Sequence, residues 1–120
     1  MTGSNEKGRI GEQIAEKYLT DVLHARILEK NYTVRGGEID IIADINGVIA
    51  FVEVKLRTIG SARGAITMRK RQLLSRAALI YLQRNHLMDR TSRFDAILIQ
   101  LPESVEYIPR AFDFVKPSRM

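Results

Sequence analysis

The sequence contains no cysteine, which excludes disulfide bonds, thiol catalysis, iron–sulfur clusters and cysteine-ligated zinc. Its two histidines, His24 and His86, lie far apart in sequence, so any bound metal ion is expected to have mainly oxygen ligands. No apolar run approaches the roughly 20 residues that a membrane helix needs, and residues 1–9 are too polar for a signal peptide. We therefore expect a cytoplasmic protein that does not bind membranes.

The length and composition fit one ordinary domain. The chain has 120 residues, of which 45% are hydrophobic and 28% are charged, a balance that excludes intrinsic disorder and coiled-coil or collagen-like sequence. No repeat, low-complexity tract or linker interrupts it. We expect a single domain over residues 1–120, with a frayed C-terminal tail from about residue 116.

Positive charge is concentrated in the middle of the chain. The net charge is +5, yet residues 54–88 contain no acidic side chain. The eight basic residues of this stretch are Lys55, Arg57, Arg63, Arg69, Lys70, Arg71, Arg76 and Arg84. Such a one-sided segment attracts a polyanion, and nucleic acid is the commonest candidate. A solvated basic surface without a partner is the alternative.

The spacing of apolar residues predicts a mixed α/β fold in the order α-β-β-β-α-β-β. The predicted helices span residues 5–23 and 66–86, and the predicted strands span 25–34, 38–45, 48–57, 93–101 and 106–114. The first helix is expected to bury Ile10, Ile14, Tyr18 and Val22, which recur every four positions. The last strand is expected at a sheet edge, because Pro109 interrupts it.

The second and third strands are predicted to form a hairpin around Asn46-Gly47, a strong two-residue turn signal. In that register the numbers of paired residues sum to 93. Asp40 then lies opposite Glu53, and Glu38 lies opposite Lys55, all four on one face of the sheet. The other face carries only apolar side chains and is the expected core: Ile39, Ile41, Ala43, Val52, Val54 and Leu56.

Opposed carboxylates repel each other, and at about 5 Å the repulsion is roughly 3 kcal/mol at an effective dielectric constant near 20. A divalent cation would turn this repulsion into attraction, and Mg²⁺ suits a site with one or two carboxylates. Simpler explanations are that Asp40 is a solvated acid at a strand end and that Glu38 is an ion-pair partner for Lys55. The opposed acids, the nearby lysine and the apolar reverse face together favour a metal site.

The segments GEIDII at residues 37–42 and FVEVK at 51–55 contain these acids and Lys55. They resemble the signature of the restriction-endonuclease-like, or PD-(D/E)xK, nuclease superfamily. More narrowly, they resemble the YraN-like family of small bacterial proteins, which is similar to archaeal Holliday junction resolvases. Other matching positions occur in the same order: Gly8, Gly11, Glu12, Ala15, Asn31, Lys70 and residues 93–95. The resemblance covers about residues 8–114 and implies a core sheet flanked by helices.

The resemblance also implies a metal site, with Asp40 and Glu53 as ligands and Glu12 reaching them from the first helix. Lys55 matches the third signature residue, whereas Ile39 replaces the proline of the nominal motif. Bound Mg²⁺, or Mn²⁺ as a substitute, would lower the pKa of a coordinated water from about 15.7 toward neutrality. Lys55 would orient or deprotonate that water and offset charge on the attacked phosphate. An exposed helix acid is the alternative for Glu12.

Further basic residues are candidates for nucleic-acid contacts. Lys70 precedes Leu74 on the apolar stripe of the second helix, so it could point to the sheet and contact a phosphate, or else be a surface lysine. Four arginines are candidate DNA-backbone contacts: Arg57, Arg63, Arg69 and Arg71. We expect a DNA endonuclease, with branched or junction DNA as a candidate substrate and DNA a better candidate than RNA.

Two other functions are open. One is a nucleic-acid-binding or scaffold protein that keeps the nuclease fold with little activity, and the other is an interaction module whose basic face is incidental. A two-fold homodimer would suit cleavage of a symmetric junction, but the residues indicate no dimer interface.

Overall fold

The computed structural model describes residues 2–57, 66–100 and 104–115, without the side chains of residues 2–7 and 57. The elements are α1 (Thr2–Asp21), β1 (Arg26–Val34), β2 (Gly37–Ile45), β3 (Val48–Arg57), α2 (Met68–Arg84), β4 (Ser92–Gln100) and β5 (Ser104–Phe112). The predicted order of elements is confirmed, although α1 begins and ends earlier than predicted. Arg63 and the predicted tail from residue 116 lie outside the described residues.

The five strands form one mixed sheet in sequence order, β1-β2-β3-β4-β5. All neighbouring strands are antiparallel except β3 and β4, which are parallel and are connected through α2. A parallel connection needs a crossover of this kind, whereas antiparallel neighbours are joined by short turns. Strand β3 is therefore central, and its C-terminal end leads toward the beginning of α2.

The β2–β3 hairpin has the predicted turn and register. Asn46 and Gly47 adopt φ angles of 52° and 88°, the left-handed region that a two-residue hairpin turn requires. The Gly47 amide donates to Asp44 Oδ1 at 2.8 Å. Paired residues run from Ile45↔Val48 to Ile41↔Val52 and sum to 93, as predicted.

Both faces of the sheet are buried, and the predicted core face is confirmed except at Ile39. Helix α2 packs on one face with Ile39, Ile42 and Phe51, and α1 packs on the other with Ile41 and Val52. Ile39 thus lies on the opposite side from Ile41, although residues two apart in a regular strand share a face. The exchange of sides occurs around Asp40, opposite Asn31 of β1, whose φ of 52° interrupts the extended backbone.

Helix α1 buries a narrower face than its apolar spacing predicts. Gly11, Ala15 and Leu19 are the buried positions, whereas Ile10 and Val22 are 43% and 54% exposed. A Cβ on Gly11 would lie 3.6 Å from Leu56 Cβ, so the small side chains allow α1 to approach β3 closely. Within the described ranges, neither helix has the length and apolarity needed to cross a membrane.

Strand β5 lies at the sheet edge, as predicted, but Pro109 does not end it. The β4–β5 register shifts between Phe94 and Ala96, which pair with Phe112 and Ile108. Pro109 therefore lies in an irregular stretch of β5, where its missing N–H removes no regular ladder bond.

Candidate metal centre

The two acids of the hairpin lie where strands β2 and β3 separate. In the described part of the chain, the β2–β3 ladder ends at Ile41↔Val52, whereas β3 stays paired with β4 as far as Arg57. The predicted ladder pairs of Asp40 with Glu53 and of Glu38 with Lys55 are therefore not formed. We call the opening between the diverging strands the notch, defined by Asp40 and Glu53.

In the notch, the Asp40 side chain takes the place of a β2 backbone carbonyl as the hydrogen-bond acceptor for β3. Its Oδ2 atom accepts a hydrogen bond from the Val54 amide at 2.8 Å, so a side-chain carboxylate bridges the two strands. Burial raises the pKa of Asp40 to about 7, and the negative charges of Glu53 and Glu12 also raise it. The Val54 hydrogen bond and the Lys70 charge oppose this increase. The positive charge near Asp40 is thus insufficient to keep its pKa at the usual value.

Glu53 is more deeply buried and only half satisfied. The residue is 6% exposed, and its Oε2 atom accepts an ion-paired hydrogen bond from Lys70 Nζ at 2.9 Å. The other oxygen, Oε1, is buried and has no hydrogen-bond partner among the described residues. A buried carboxylate oxygen without a donor is costly, so the arrangement favours a ligand that accepts an oxygen lone pair.

Lys70 reaches this carboxylate from the first turn of α2. Thr67 caps the helix, and its Oγ1 accepts from the Lys70 amide at 3.1 Å, which fixes the backbone at the position where the side chain starts. The hydrogen bond to Glu53 raises the pKa of Lys70, and the charges of Asp40 and Glu38 raise it further. Of the two alternatives for Lys70, the structure shows the one in which the side chain points to the sheet, and its partner there is a carboxylate.

Glu38 and Lys55 do not form the ion pair that the sequence offered as an explanation for Glu38. Among the described residues, the negative charge of Glu38 acts on Lys70 instead. Lys55 is half-buried and lies two residues beyond Glu53 on β3, so both side chains project to the same side. Its amine therefore lies on the same side of β3 as the Glu53 carboxylate.

Glu12 is half-buried next to Gly11, where α1 approaches β3. Its charge acts on Asp40, as expected for an acid at the edge of the buried face. Across the residues that the structure describes, however, no three Asp, Glu, His or Cys side chains are grouped closely enough to hold an ion together. The notch thus has Asp40 and Glu53 as its two acids, and the charge of Glu12 acts on Asp40 less strongly than that of Glu53.

These donors fit a hard divalent cation. Mg²⁺ binds oxygen, commonly takes only one or two carboxylates from a protein and keeps several waters. The unpartnered Glu53 Oε1 could supply one ligand atom, and the Asp40 carboxylate could supply another. The donor set does not suit Zn²⁺ or another metal that prefers nitrogen or sulfur ligands.

The three consecutive basic residues of α2 have different surroundings. Lys70 pairs with Glu53, whereas Arg71 donates from Nε to Ile66 O at 3.0 Å and lies over the Phe112 ring. Of these three residues, Arg69 is the one that is exposed to solvent and makes no such contact with the described part of the chain. Arg63 and the Arg57 side chain lie outside the described residues. Of the four predicted arginines, the structure therefore describes the side chains of Arg69 and Arg71, which have different surroundings.

A second buried acid, Asp95, had no role assigned to it from the sequence. Asp95 is fully buried on β4 and accepts from Arg93 Nε, the Tyr107 hydroxyl and the Arg110 amide. Burial and the hydrogen bond to Asp95 raise the pKa of Tyr107. This network holds β5 to β4 at their irregular register, and all its polar groups are satisfied. Its only signal in the sequence was the segment Arg93-Phe94-Asp95.

Comparison with known proteins places the chain in a family. The sequence profile described as "Uncharacterised protein family UPF0102" matches residues 11–99. A UPF0102 protein of Trichlorobacter lovleyi is 44% identical over 119 residues, covering 92% of this chain and 93% of the relative. UPF0102 proteins of Pelobacter propionicus and Geobacter metallireducens are 43% and 42% identical, covering 88% of this chain and 81% and 91% of the relatives. The chain therefore belongs to the UPF0102 family, which is a YraN-like group.

Proposed function

We propose that this protein is a metal-dependent endonuclease that hydrolyses phosphodiester bonds in DNA. The observation that carries the proposal is the buried, unpartnered Oε1 atom of Glu53 beside the Asp40 carboxyl group, whose pKa is raised to about 7. A structural acid pair would not normally leave a buried carboxylate oxygen without a donor, whereas a metal ligand does so until the ion binds. Mg²⁺ is the proposed ion, and Mn²⁺ is the proposed substitute.

Asp40 and Glu53 would hold the ion, and Glu12 would add negative charge from α1. When bound, Mg²⁺ supplies Lewis-acid chemistry and lowers the pKa of water. Lys55 Nζ, on the same side of β3 as Glu53, would orient the attacking water and offset charge that develops on the phosphate. The backbone bond from Val54 keeps the Asp40 carboxylate facing the notch.

Positive charge around the site supports nucleic acid as the substrate. Arg69 and Arg76 are exposed on α2, seven residues apart and therefore on one face of the helix. Such arginines contact phosphates without reading base sequence, which suits a substrate selected by shape, such as branched or junction DNA. We propose DNA as the better candidate than RNA, and a homodimer as the form that would cut a symmetric junction.

A scaffold function is the second candidate. The Lys70 ammonium already neutralises one oxygen of Glu53, and no three-acid group is formed within the described ranges. These two observations would suit a protein that retains the fold and binds DNA without cutting it.

A cleavage assay separates the two candidates. Linear, flapped and four-way DNA are incubated with the protein in Mg²⁺, Mn²⁺ or EDTA. The variants are Asp40→Ala and Lys55→Ala, with Asp89→Ala and Lys17→Ala as exposed controls matched in residue type. We expect metal-dependent cleavage that falls at least about a hundredfold in both site variants and is unchanged in both controls.

Tight DNA binding without cleavage in either metal would instead support the scaffold. Cleavage that neither site substitution alters would place the activity elsewhere and overturn the proposed site.

A further inference from the structure

The first turn of α2 places a cation in direct contact with a proposed metal ligand. Lys70 Nζ lies 2.9 Å from Glu53 Oε2, and its charge also acts on Asp40 and Glu38. The ammonium group is therefore close to the negative charges that a divalent ion would neutralise. Glu53 is 6% exposed and its Oε1 atom has no partner, so Lys70 satisfies this carboxylate only in part.

Lys70 is positioned so that it can leave. Its side chain is 47% exposed, whereas the Glu53 side chain is 7% exposed, so the lysine reaches the acid from the solvent side. The backbone of Lys70 is fixed by the Thr67 cap, but the four-carbon side chain is flexible and its ammonium is readily hydrated. Arg71, one residue later, is instead held by Ile66 O and Phe112.

Electrostatics decides what happens when a divalent ion binds Glu53. At equal distance and dielectric, a charge of +2 repels the ammonium twice as strongly as one carboxylate attracts it. An ion bound to Glu53 would lie within a few ångströms of Lys70 Nζ. The ion also cancels the combined −2 charge of Asp40 and Glu53, so the attraction that holds Lys70 is lost and the half-exposed lysine can move into water.

We propose that Lys70 is a positioning residue that acts as the exchangeable counter-ion of Glu53. It neutralises the buried carboxylate in the metal-free protein and releases it when a divalent ion binds. This inference rests on the proposed function, because it requires that Asp40 and Glu53 bind the ion. The exchange stabilises the empty site and weakens metal binding, since the ion must displace an existing partner.

The test measures metal binding without DNA. Mn²⁺ is titrated into the full-length protein by isothermal calorimetry at pH 8, at which Asp40 is ionised. Lys70→Met and Lys70→Gln remove the charge, Lys70→Arg retains it, and Arg69→Met removes an exposed charge from the neighbouring position. Circular dichroism verifies the fold of each variant, and two neutral substitutions are used so that the test does not depend on one of them.

We expect the neutral Lys70 variants to bind Mn²⁺ about tenfold more tightly than the wild-type protein, the effect of removing one competing charged hydrogen bond. Lys70→Arg and Arg69→Met should bind no more than about twofold more tightly. In EDTA the neutral variants should melt at a lower temperature than the wild-type protein, and saturating Mn²⁺ should narrow the gap. A purely structural role would lower the melting temperature without strengthening Mn²⁺ binding.

Asp40→Asn separates the two proposals. One outcome is that the wild-type protein binds Mn²⁺, that Asp40→Asn abolishes this binding, and that the neutral Lys70 variants bind no more tightly than the wild-type protein. This outcome would show that the exchange is wrong, whereas the metal site would stand. If neither the wild-type protein nor the neutral Lys70 variants bind Mn²⁺, both proposals are wrong. Binding that appears only in the neutral Lys70 variants would support the exchange in its strongest form.

Discussion

The ionised carboxyl group of Asp40 destabilises the folded protein at the notch. It is buried, it accepts a single backbone hydrogen bond from Val54, and it lies close to the negative charge of Glu53. Each of these features except the hydrogen bond disfavours the ionised form, and together they raise its pKa to about 7. A stability-optimised strand would not retain such a group, whereas a cation site needs it.

This shift predicts a pH-dependent stability of the metal-free protein. Between about pH 4 and pH 7, folded Asp40 binds a proton that the unfolded chain has released, so stability falls as pH rises through this range and levels off above it. The total loss is at most about 4 kcal/mol, since one pKa unit corresponds to about 1.4 kcal/mol. Urea unfolding in EDTA from pH 4 to pH 8 measures it.

The control for this prediction is Asp40→Asn, whose amide oxygen can still accept the Val54 hydrogen bond. The variant should lose most of the pH dependence over this range and be more stable than the wild-type protein above pH 7. A wild-type protein whose free energy of unfolding is constant from pH 4 to pH 7, or rises, would contradict the shift. Saturating Mg²⁺ should reverse the wild-type trend, because the ion binds the ionised form.

At the scale of the elements, local signals predicted the hairpin well. Asn46-Gly47 fixes a two-residue turn, and the turn sets the register of every pair up to Ile41↔Val52. The two acids were therefore assigned to neighbouring strands correctly. The separation of those strands was not predictable, because it depends on Asp40 taking the Val54 amide and on β3 continuing along β4.

The helices were located by their periodicity, but their buried faces were only partly predicted. Apolar spacing in α1 favoured Ile10 and Val22, yet the close approach to β3 selects Gly11 and Ala15, whose small size the pattern does not weigh. Similarly, the stripe of α2 indicated that Lys70 points toward the sheet. Its pairing with a particular glutamate depends on how α2 docks, a tertiary contact that no local pattern contains.

The two helix–sheet contacts should differ in how well they tolerate an added methyl group at a glycine. A Cβ on Gly11 would meet Leu56 at an ordinary 3.6 Å, whereas a Cβ on Gly37 would lie 3.0 Å from the backbone oxygen of Leu73 in α2. Gly11→Ala should therefore stabilise the protein by about 0.5–1 kcal/mol, through the higher helix propensity of alanine. Gly37→Ala should destabilise it by about 1–3 kcal/mol, because α2 must shift.

Urea unfolding of the two variants side by side measures this contrast. Each is the control for the other, since both changes add one methyl group next to a helix–sheet contact. Equal effects of the same sign would contradict the difference in packing between α1 and α2.

At the scale of the whole molecule, the notch contains buried acids, whereas the exposed surface of α2 carries basic residues. The acids Asp40 and Glu53 lie inside the notch, whereas Arg69 and Arg76 are exposed on α2, whose first turn supplies Lys70 to the notch. With a net charge of +5, the protein should attract a polyanion over its surface while it keeps negative charge at the notch. A phosphate backbone could then lie on α2 and present one bond to the carboxylates.

This arrangement predicts a strong salt dependence of DNA binding. Each phosphate contact releases counterions, so the logarithm of the association constant should fall with the logarithm of salt concentration by about 0.9 per contact. Arg69→Ala and Arg76→Ala, which lie about 10.5 Å apart along the helix axis, should each reduce that slope by about 0.9. Both should weaken binding equally for DNA duplexes of unrelated sequence, because backbone contacts do not read bases.

Fluorescence anisotropy in EDTA, from about 50 to 200 mM salt, measures the slope without cleavage, with Arg26→Ala on β1 as the matched control. Arg26→Ala should leave the slope unchanged. If it instead reduces the slope as much as the α2 substitutions do, binding depends on net charge alone and α2 is not the DNA-binding surface.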